Sequence, residues 1–268
     1  MQKALLPDKE VLELERGLEA LARIRLHLRK SELAIKLFFK KKEGLYKDPP
    51  YNGIKESVEK QIEKMRKDID KLIAKLAKKH PMWDAFFRRI KGISPVYAGM
   101  ILGLFPAYKF PNPSALRKYV GWAPPHVYEG RRYRRNFKSI FYIIAMNFLR
   151  VENKYASEYY AWRKKEDLKL ELAKKYADKI SEKTEENVDE ELAMELGIES
   201  PEELQKLNPP ASKRHAHFRA IRKVISMFLA HYFEMYWRVV LKVTNPPKPY
   251  FVIKGMGEYF PPEAFFDL

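Results

Sequence analysis

The chain has 268 residues and no cysteine; 52 Lys and Arg against 35 Asp and Glu give a net charge of +17, with 46% hydrophobic and 32% charged residues. Absence of cysteine excludes a disulfide framework and thiolate metal sites, and no apolar run has the length of a membrane span or the form of a signal peptide, so a soluble, cytoplasmic protein with a sizeable core is expected. High Lys and Glu without Cys is the composition of hyperthermophile proteins, and so strong a positive charge attracts polyanions.

An all-α fold is expected, beginning with two long helices. Residues 7–42 are rich in Leu, Glu, Arg and Lys, strong helix formers, with Val11, Leu14, Leu18, Leu21 and Leu28 on one stripe that Arg25 interrupts. Lys47-Asp48-Pro49-Pro50-Tyr51-Asn52-Gly53 reads as a chain breaker. The helix after it carries Val58, Ile62, Met65, Ile69, Leu72 and Leu76 at 4-3-4-3-4 spacing, a coiled-coil seam. Residues 1–80 therefore read as an antiparallel helical hairpin, a spacer and a surface for a homodimer.

Residues 81–165, resumed at 208–244, read as one compact helical domain. In Ile90-Lys91-Gly92-Ile93-Ser94-Pro95-Val96-Tyr97-Ala98 a helix ends at Lys91, Gly92 turns the chain, Ser94 caps a new helix and Pro95 is its first residue. That is a helix-hairpin-helix, whose amides from Gly92 through Ile93, Ser94, Val96 and Tyr97 point outward at a place suited to phosphate. Arg88, Arg89 and Lys91 surround it with fixed charge. A short helix at 112–120 follows, capped by Asn112 with Pro113 at its first position.

The polar stretch 121–136, which has the turn content of a β-hairpin, holds the sharpest charge cluster, Arg131, Arg132, Arg134 and Arg135 around Tyr133. Guanidinium forks suit phosphate and the ring suits a base or sugar; four such neighbours repel one another unless an anion meets them. A long apolar helix is expected over 138–163, with Lys138 at its start. Residues 86–165 hold 16 Lys and Arg against Glu129, Glu152 and Glu158, a net +13, whereas 166–207 hold 6 basic and 14 acidic residues, a net −8. The latter reads as an acidic insertion of short solvated helices. The last long helix, 211–242, is basic at its start, where Lys213, Arg214 and Arg222 join the candidate nucleic-acid contacts, and aromatic later. Residues 245–268 read as an extended Pro- and aromatic-rich tail, docked through Tyr250, Phe251, Phe260, Phe265 and Phe266.

Catalytic signals are weak. His215 and His217, two residues apart, face different sides of a helix and lack a partner at i+4, so no metal is expected. The basic region has no Asp and three Glu, too few acids for two-metal phosphoryl transfer. Tyr128 is the one conceivable nucleophile beside the arginine cluster. No cofactor and no catalytic residue are assigned.

Ile90-Lys91-Gly92-Ile93-Ser94-Pro95, then Phe110, Leu116, Tyr119-Val120-Gly121-Trp122-Ala123-Pro124 and Glu129-Gly130 together resemble the C-terminal domain of the DEDD-type insertion-sequence transposases, RNA-guided recombinases of mobile elements. The resemblance covers 86–165 and resumes at 211–239. It implies a DNA-engaging helical domain in which a Ser-Gly near Glu129-Gly130 supplies the nucleophile. Glu129 stands in the place of that serine, and the family's nuclease-like N-terminal domain has no counterpart. The resemblance thus implies a catalytically inactive relative that grips double-stranded DNA by its backbone, with little base readout. Structured RNA as the ligand, an active recombinase component and a protein-interaction module are the alternatives.

Overall fold

The computed structural model describes residues 6–41, 49–124, 135–182, 208–254 and 259–267, and among these the fold is all-α, with no strand. Helix α1 (Lys9–Lys41) starts where Asp8 Oδ1 accepts the Val11 N–H at 2.9 Å. Helix α2 (Pro49–Ala77) takes in the expected breaker: Pro49 and Pro50 occupy its first turn, where a missing N–H costs no helical bond. The two helices run in opposite senses. Arg25 pairs with Asp70 and Arg66 with Glu32, so Arg25, an interruption in the apolar stripe, is an inter-helix ion pair.

The face of α2 turned to its neighbours differs from the expected seam. Ile73 and Ala77 are fully buried, whereas Met65 and Leu72 are about half exposed. The reason is α4 (Pro95–Leu104), which packs against both α1 and α2 and turns α2 toward itself. Two glycines let α4 approach. A Cβ on Gly99 would lie 2.5 Å from Ile73 Cγ2, and one on Gly103 would lie 2.8 Å from the Leu18 carbonyl oxygen.

Between the first pair and α4 come α3 (Pro81–Ala85) and a 3₁₀ turn at Phe87–Arg89. The expected single helix to Lys91 is thus two pieces, α3 closing at Phe86, whose N–H bonds the Met82 carbonyl, and the 3₁₀ turn following with Phe86, Phe87 and Ile90 all buried. Helix α5 (Pro113–Tyr119) is capped by Asn112 Oδ1, which accepts the Ala115 N–H at 2.9 Å. It stops at Gly121, φ +87°, with the Trp122 N–H reaching back to the Arg117 carbonyl, the bond pattern of a Schellman stop.

The expected helix over 138–163 is two helices, α6 (Arg135–Val151) and α7 (Lys154–Glu182). Glu152 takes a left-handed φ of +50° and Asn153 Oδ1 accepts the Ala156 N–H at 3.1 Å, starting α7 afresh. Helix α7 runs through residue 166 without a break, and Glu166, Leu170 and Leu172 are buried, so the boundary expected at 165/166 falls inside a packed helix. The expected acidic segment beyond 182 lies outside the described residues.

Helix α8 (Lys213–Val239) is the central post: Phe228, Tyr232, Phe233 and Tyr236 are buried, and it touches α3, α5, α6 and α7. Its Tyr236 hydroxyl donates to Glu15 Oε1 at 2.5 Å, and His80 Nε2 stands 3.4 Å from the same oxygen, tying α1 to the core through a buried carboxylate. The expected extended tail contains a short helix α9 (Tyr250–Ile253) and a 3₁₀ turn at Pro262–Phe265. Phe265 is buried against Tyr155 and His231, while Phe260 is 45% exposed.

Candidate nucleic-acid interface

The turn between the 3₁₀ segment and α4 is built as its residue types demand. Gly92 has φ +92°, and a Cβ there would meet Val151 and the Asn147 carbonyl of α6 at 3.2–3.3 Å, so glycine serves both conformation and fit. Ser94 Oγ caps α4 by accepting the Tyr97 N–H at 3.4 Å. The expectation of an open row of amides from Gly92 to Tyr97 is not met. Tyr97 N–H goes to Ser94, Ile93 N–H to the Ile90 carbonyl at 3.4 Å, and Lys91 N–H to Asp267 Oδ2 at 3.0 Å. Ile93 is core, and Val96 and Tyr97 pack against it. The flanking cations are partly engaged too: Arg88 pairs with Asp84 at 3.0 Å, and Arg89 donates to the Asp84 carbonyl and lies over the Phe266 ring. Lys91 and Ser94 are exposed.

A second basic region, which the sequence did not single out, lies between α5 and the segment that leads into α9. A groove of about 350 Å³ is lined by Asn112, Ser114, Arg117, Lys118 and Lys248, with Ala115, Ala123 and Ile253 as apolar wall. Arg117 Nη1 reaches Ser226 Oγ of α8 at 3.4 Å. Beside it Lys223 lies 4.4 Å over the Trp162 ring. Burial lowers the Lys223 pKa below the ordinary lysine value; the nearby charges of Arg117 and Lys165 push the same way and Glu158 opposes. Lys223 thus sits in the field of Arg117 and Lys165, with Glu158 as a partial counter-charge.

The same region holds the attachment points of the arginine run. Trp122 Nε1 donates to the Lys138 carbonyl at 3.1 Å, and the Lys138 ammonium stands 5.0 Å over the Trp122 ring, clasping the chain before the run to the chain after it. Arg131, Arg132, Tyr133 and Arg134, with Tyr128, Glu129 and Gly130, lie outside the described residues; Arg135 is the first residue of α6.

The start of α8 is capped by Ser212, which accepts the His215 N–H at 3.1 Å; Lys213 and Arg214 are exposed there. Arg219 turns inward to Glu166 Oε2 at 3.0 Å and the Asn208 carbonyl at 2.5 Å. His215 is held below its usual pKa by burial and by Arg219 and Arg222, and His217, lowered by burial and Arg163, bonds the Tyr159 hydroxyl at 2.6 Å. Among the described residues no cluster of His, Asp or Glu could hold a metal ion.

The expected contacts among the described residues therefore do not form one patch. Phe228 packs on Phe86, at the end of α3, whereas Ser226 meets Arg117. Residues two positions apart in an α-helix differ by about 200° around its axis, so the α3–α4 turn and Arg117 meet different sides of α8. His215, Arg219, Arg222, Lys223 and Ser226 share the groove's side, while Lys213 and Arg214 sit off it at the helix start. Arg117 and Lys118 carry a signal in the sequence, two cations in the last turn of a helix stopped by Gly121; Lys248 carries none, because no periodicity places a Pro-rich segment. Comparison of the chain with protein families, with curated proteins and with solved structures finds no match.

Proposed function

We propose that this protein binds nucleic acid, double-stranded DNA first, by gripping the phosphate backbone along the α5–α8 face. The observation that carries this reading is the groove lined by Arg117, Lys118 and Lys248, with Lys223 nearby in the field of Arg117 and Lys165, beside the clasp from which the arginine run departs. A surface rich in cations attracts phosphates, whose release of counterions supplies sequence-independent affinity. In the same reading the α3–turn–α4 unit acts as a helix-hairpin-helix and a secondary backbone contact. The α1–α2 pair is a coiled-coil-like spacer, and its Ile54, Met65 and Leu72 flank is the place for a second copy. Kinship to the DNA-engaging domain of a transposase, without its chemistry, belongs to this proposal as well.

A mobility-shift titration with a duplex, a structured RNA and a single strand, each at low and moderate salt, tests it. The duplex is expected to bind with log Kd rising by about 0.9 per decade of salt for each phosphate contact. Replacement of Arg117 and Lys118 by Gln is expected to weaken binding and flatten that dependence. Preference for the RNA reassigns the ligand, and an affinity indifferent to salt and to both substitutions overturns the reading.

A further inference from the structure

The hairpin turn already holds an anion. Asp267 Oδ2 accepts the Lys91 N–H at 3.0 Å and its Oδ1 faces the Lys154 N–H, the first of α7, at 3.4 Å, while the Asp267 N–H donates to the Arg89 carbonyl at 2.8 Å. Nothing local explains these contacts, since Asp267 and Lys91 are 176 positions apart. The pocket is fixed from behind. Asn153, buried, donates from Nδ2 to the Lys91 carbonyl at 2.7 Å and caps α7 through Oδ1, so one side chain sets both donors. Lys91 and Lys154 are exposed on either side, and Arg89 lies over Phe266. Two backbone donors from two elements, at the start of a 29-residue helix, with flanking cations, are what a phosphate oxygen pair requires.

We infer that the Lys91–Lys154 amide pair is a phosphate site and that Asp267 is its built-in competitor. This rests on the proposed function in one respect: the phosphate meant is that of a nucleic-acid backbone. The geometry explains why the Lys91 amide is closed in this structure while the Lys91 and Lys154 side chains stay exposed beside it. Release leaves the segment held, because Phe265 anchors it in the core against the Tyr155 ring, centroids 4.7 Å apart. Asp267 has to leave its amides, and Phe266 has to part from Phe86 and Arg89 only if the backbone moves with it. A carboxylate and a phosphate compete for the same donors, so backbone binding to the hairpin is reduced by the fraction of molecules in which Asp267 is seated.

The full chain, as wild type, Asp267→Ala and Glu263→Gln, distinguishes the possibilities. Glu263 pairs with Arg238 and stands in the same segment, so its variant controls for the loss of one negative charge. Inorganic phosphate is titrated first, reading the amide resonances of Lys91 and Lys154; duplex binding is then measured at low salt. Asp267→Ala is expected to show phosphate-dependent shifts of both amides at concentrations where wild type and Glu263→Gln do not. It is also expected to bind duplex about three- to tenfold more tightly than either. Amides indifferent to phosphate in Asp267→Ala, with duplex affinity equal to that of Glu263→Gln, overturn the inference while leaving salt-dependent binding by the α5–α8 face intact. Shifts in both amides with no duplex binding by any form support the phosphate site and overturn the nucleic-acid reading. Should Asp267→Ala fold poorly, hydrogen exchange in wild type decides: saturating duplex must expose the Asp267 N–H and keep Lys91 and Lys154 protected, and unchanged protection at Asp267 refutes the competition.

Discussion

Gly103→Ala measures how tightly α4 is wedged against α1. The added methyl would lie 2.5 Å from the Leu18 carbonyl carbon and 2.8 Å from its oxygen, with Glu19 N closer still. All three are backbone atoms of a long helix, so no rotamer change makes room; α4 has to withdraw by about 1 Å to reach an ordinary contact of ~3.5 Å. Withdrawal also loosens Gly99 from Ile73, because the two glycines lie on the same face of α4. Overpacking of this kind costs about 1–3 kcal/mol, and a clash with backbone belongs at the upper end. Alanine's better helix propensity returns about 1 kcal/mol. The net loss of about 2 kcal/mol lowers Tm by about 4–8 °C in a protein of this size. Gly53→Ala supplies the internal control. It lies within α2 with nothing inside 4 Å of the new methyl, so only the propensity gain applies and Tm is expected to rise. Thermal unfolding of both variants at one pH reads the two signs, and a Gly103→Ala protein melting at or above wild type refutes the wedge.

His231 is buried, with Nε2 donating to the Phe260 carbonyl at 3.0 Å and Nδ1 accepting from the Tyr155 hydroxyl at 2.8 Å; burial lowers its pKa to about 4. The unfolded chain protonates first, near 6.5, so stability is complete above that value and falls as pH drops toward 4, by about 3 kcal/mol in all. Urea titrations at pH 7 and pH 4 are expected to differ less in His231→Asn than in wild type, and equal differences exclude this group as the cause. Tyr236→Phe strips a donor from the buried Glu15 carboxylate and is expected to cost about 1–3 kcal/mol, with Glu15→Leu in the Tyr236→Phe background recovering part of the loss in denaturant midpoints. Lys248→Gln, at the rim of the groove, is expected to lower the salt slope of duplex binding by about 0.9 if it meets one phosphate; an unchanged slope removes it from the interface.

Much of the local structure was legible because it follows from nearest neighbours. Ser94-Pro95 and Asn112-Pro113 mark helix starts by capping and a fixed φ, and both pairs do so here. The break between α6 and α7 was missed because neither Gly nor Pro marks it; Asn153, an apt cap, was the available signal. The cations beside Gly92 are evident in the sequence, but the contacts of Arg89 with Phe266 and of the Lys91 amide with Asp267 are not, since residues 266 and 267 lie far along the chain.

The sequence by itself determined the helical class, the caps and the central surplus of positive charge, all of which depend on residue type and short-range spacing. Tertiary structure alone decided which cations share a surface. A helix turns about 100° per residue, so whether Arg117 and Lys223 converge, or the hairpin faces away from them, is set by how α5, α7 and α8 pack and not by distance along the chain.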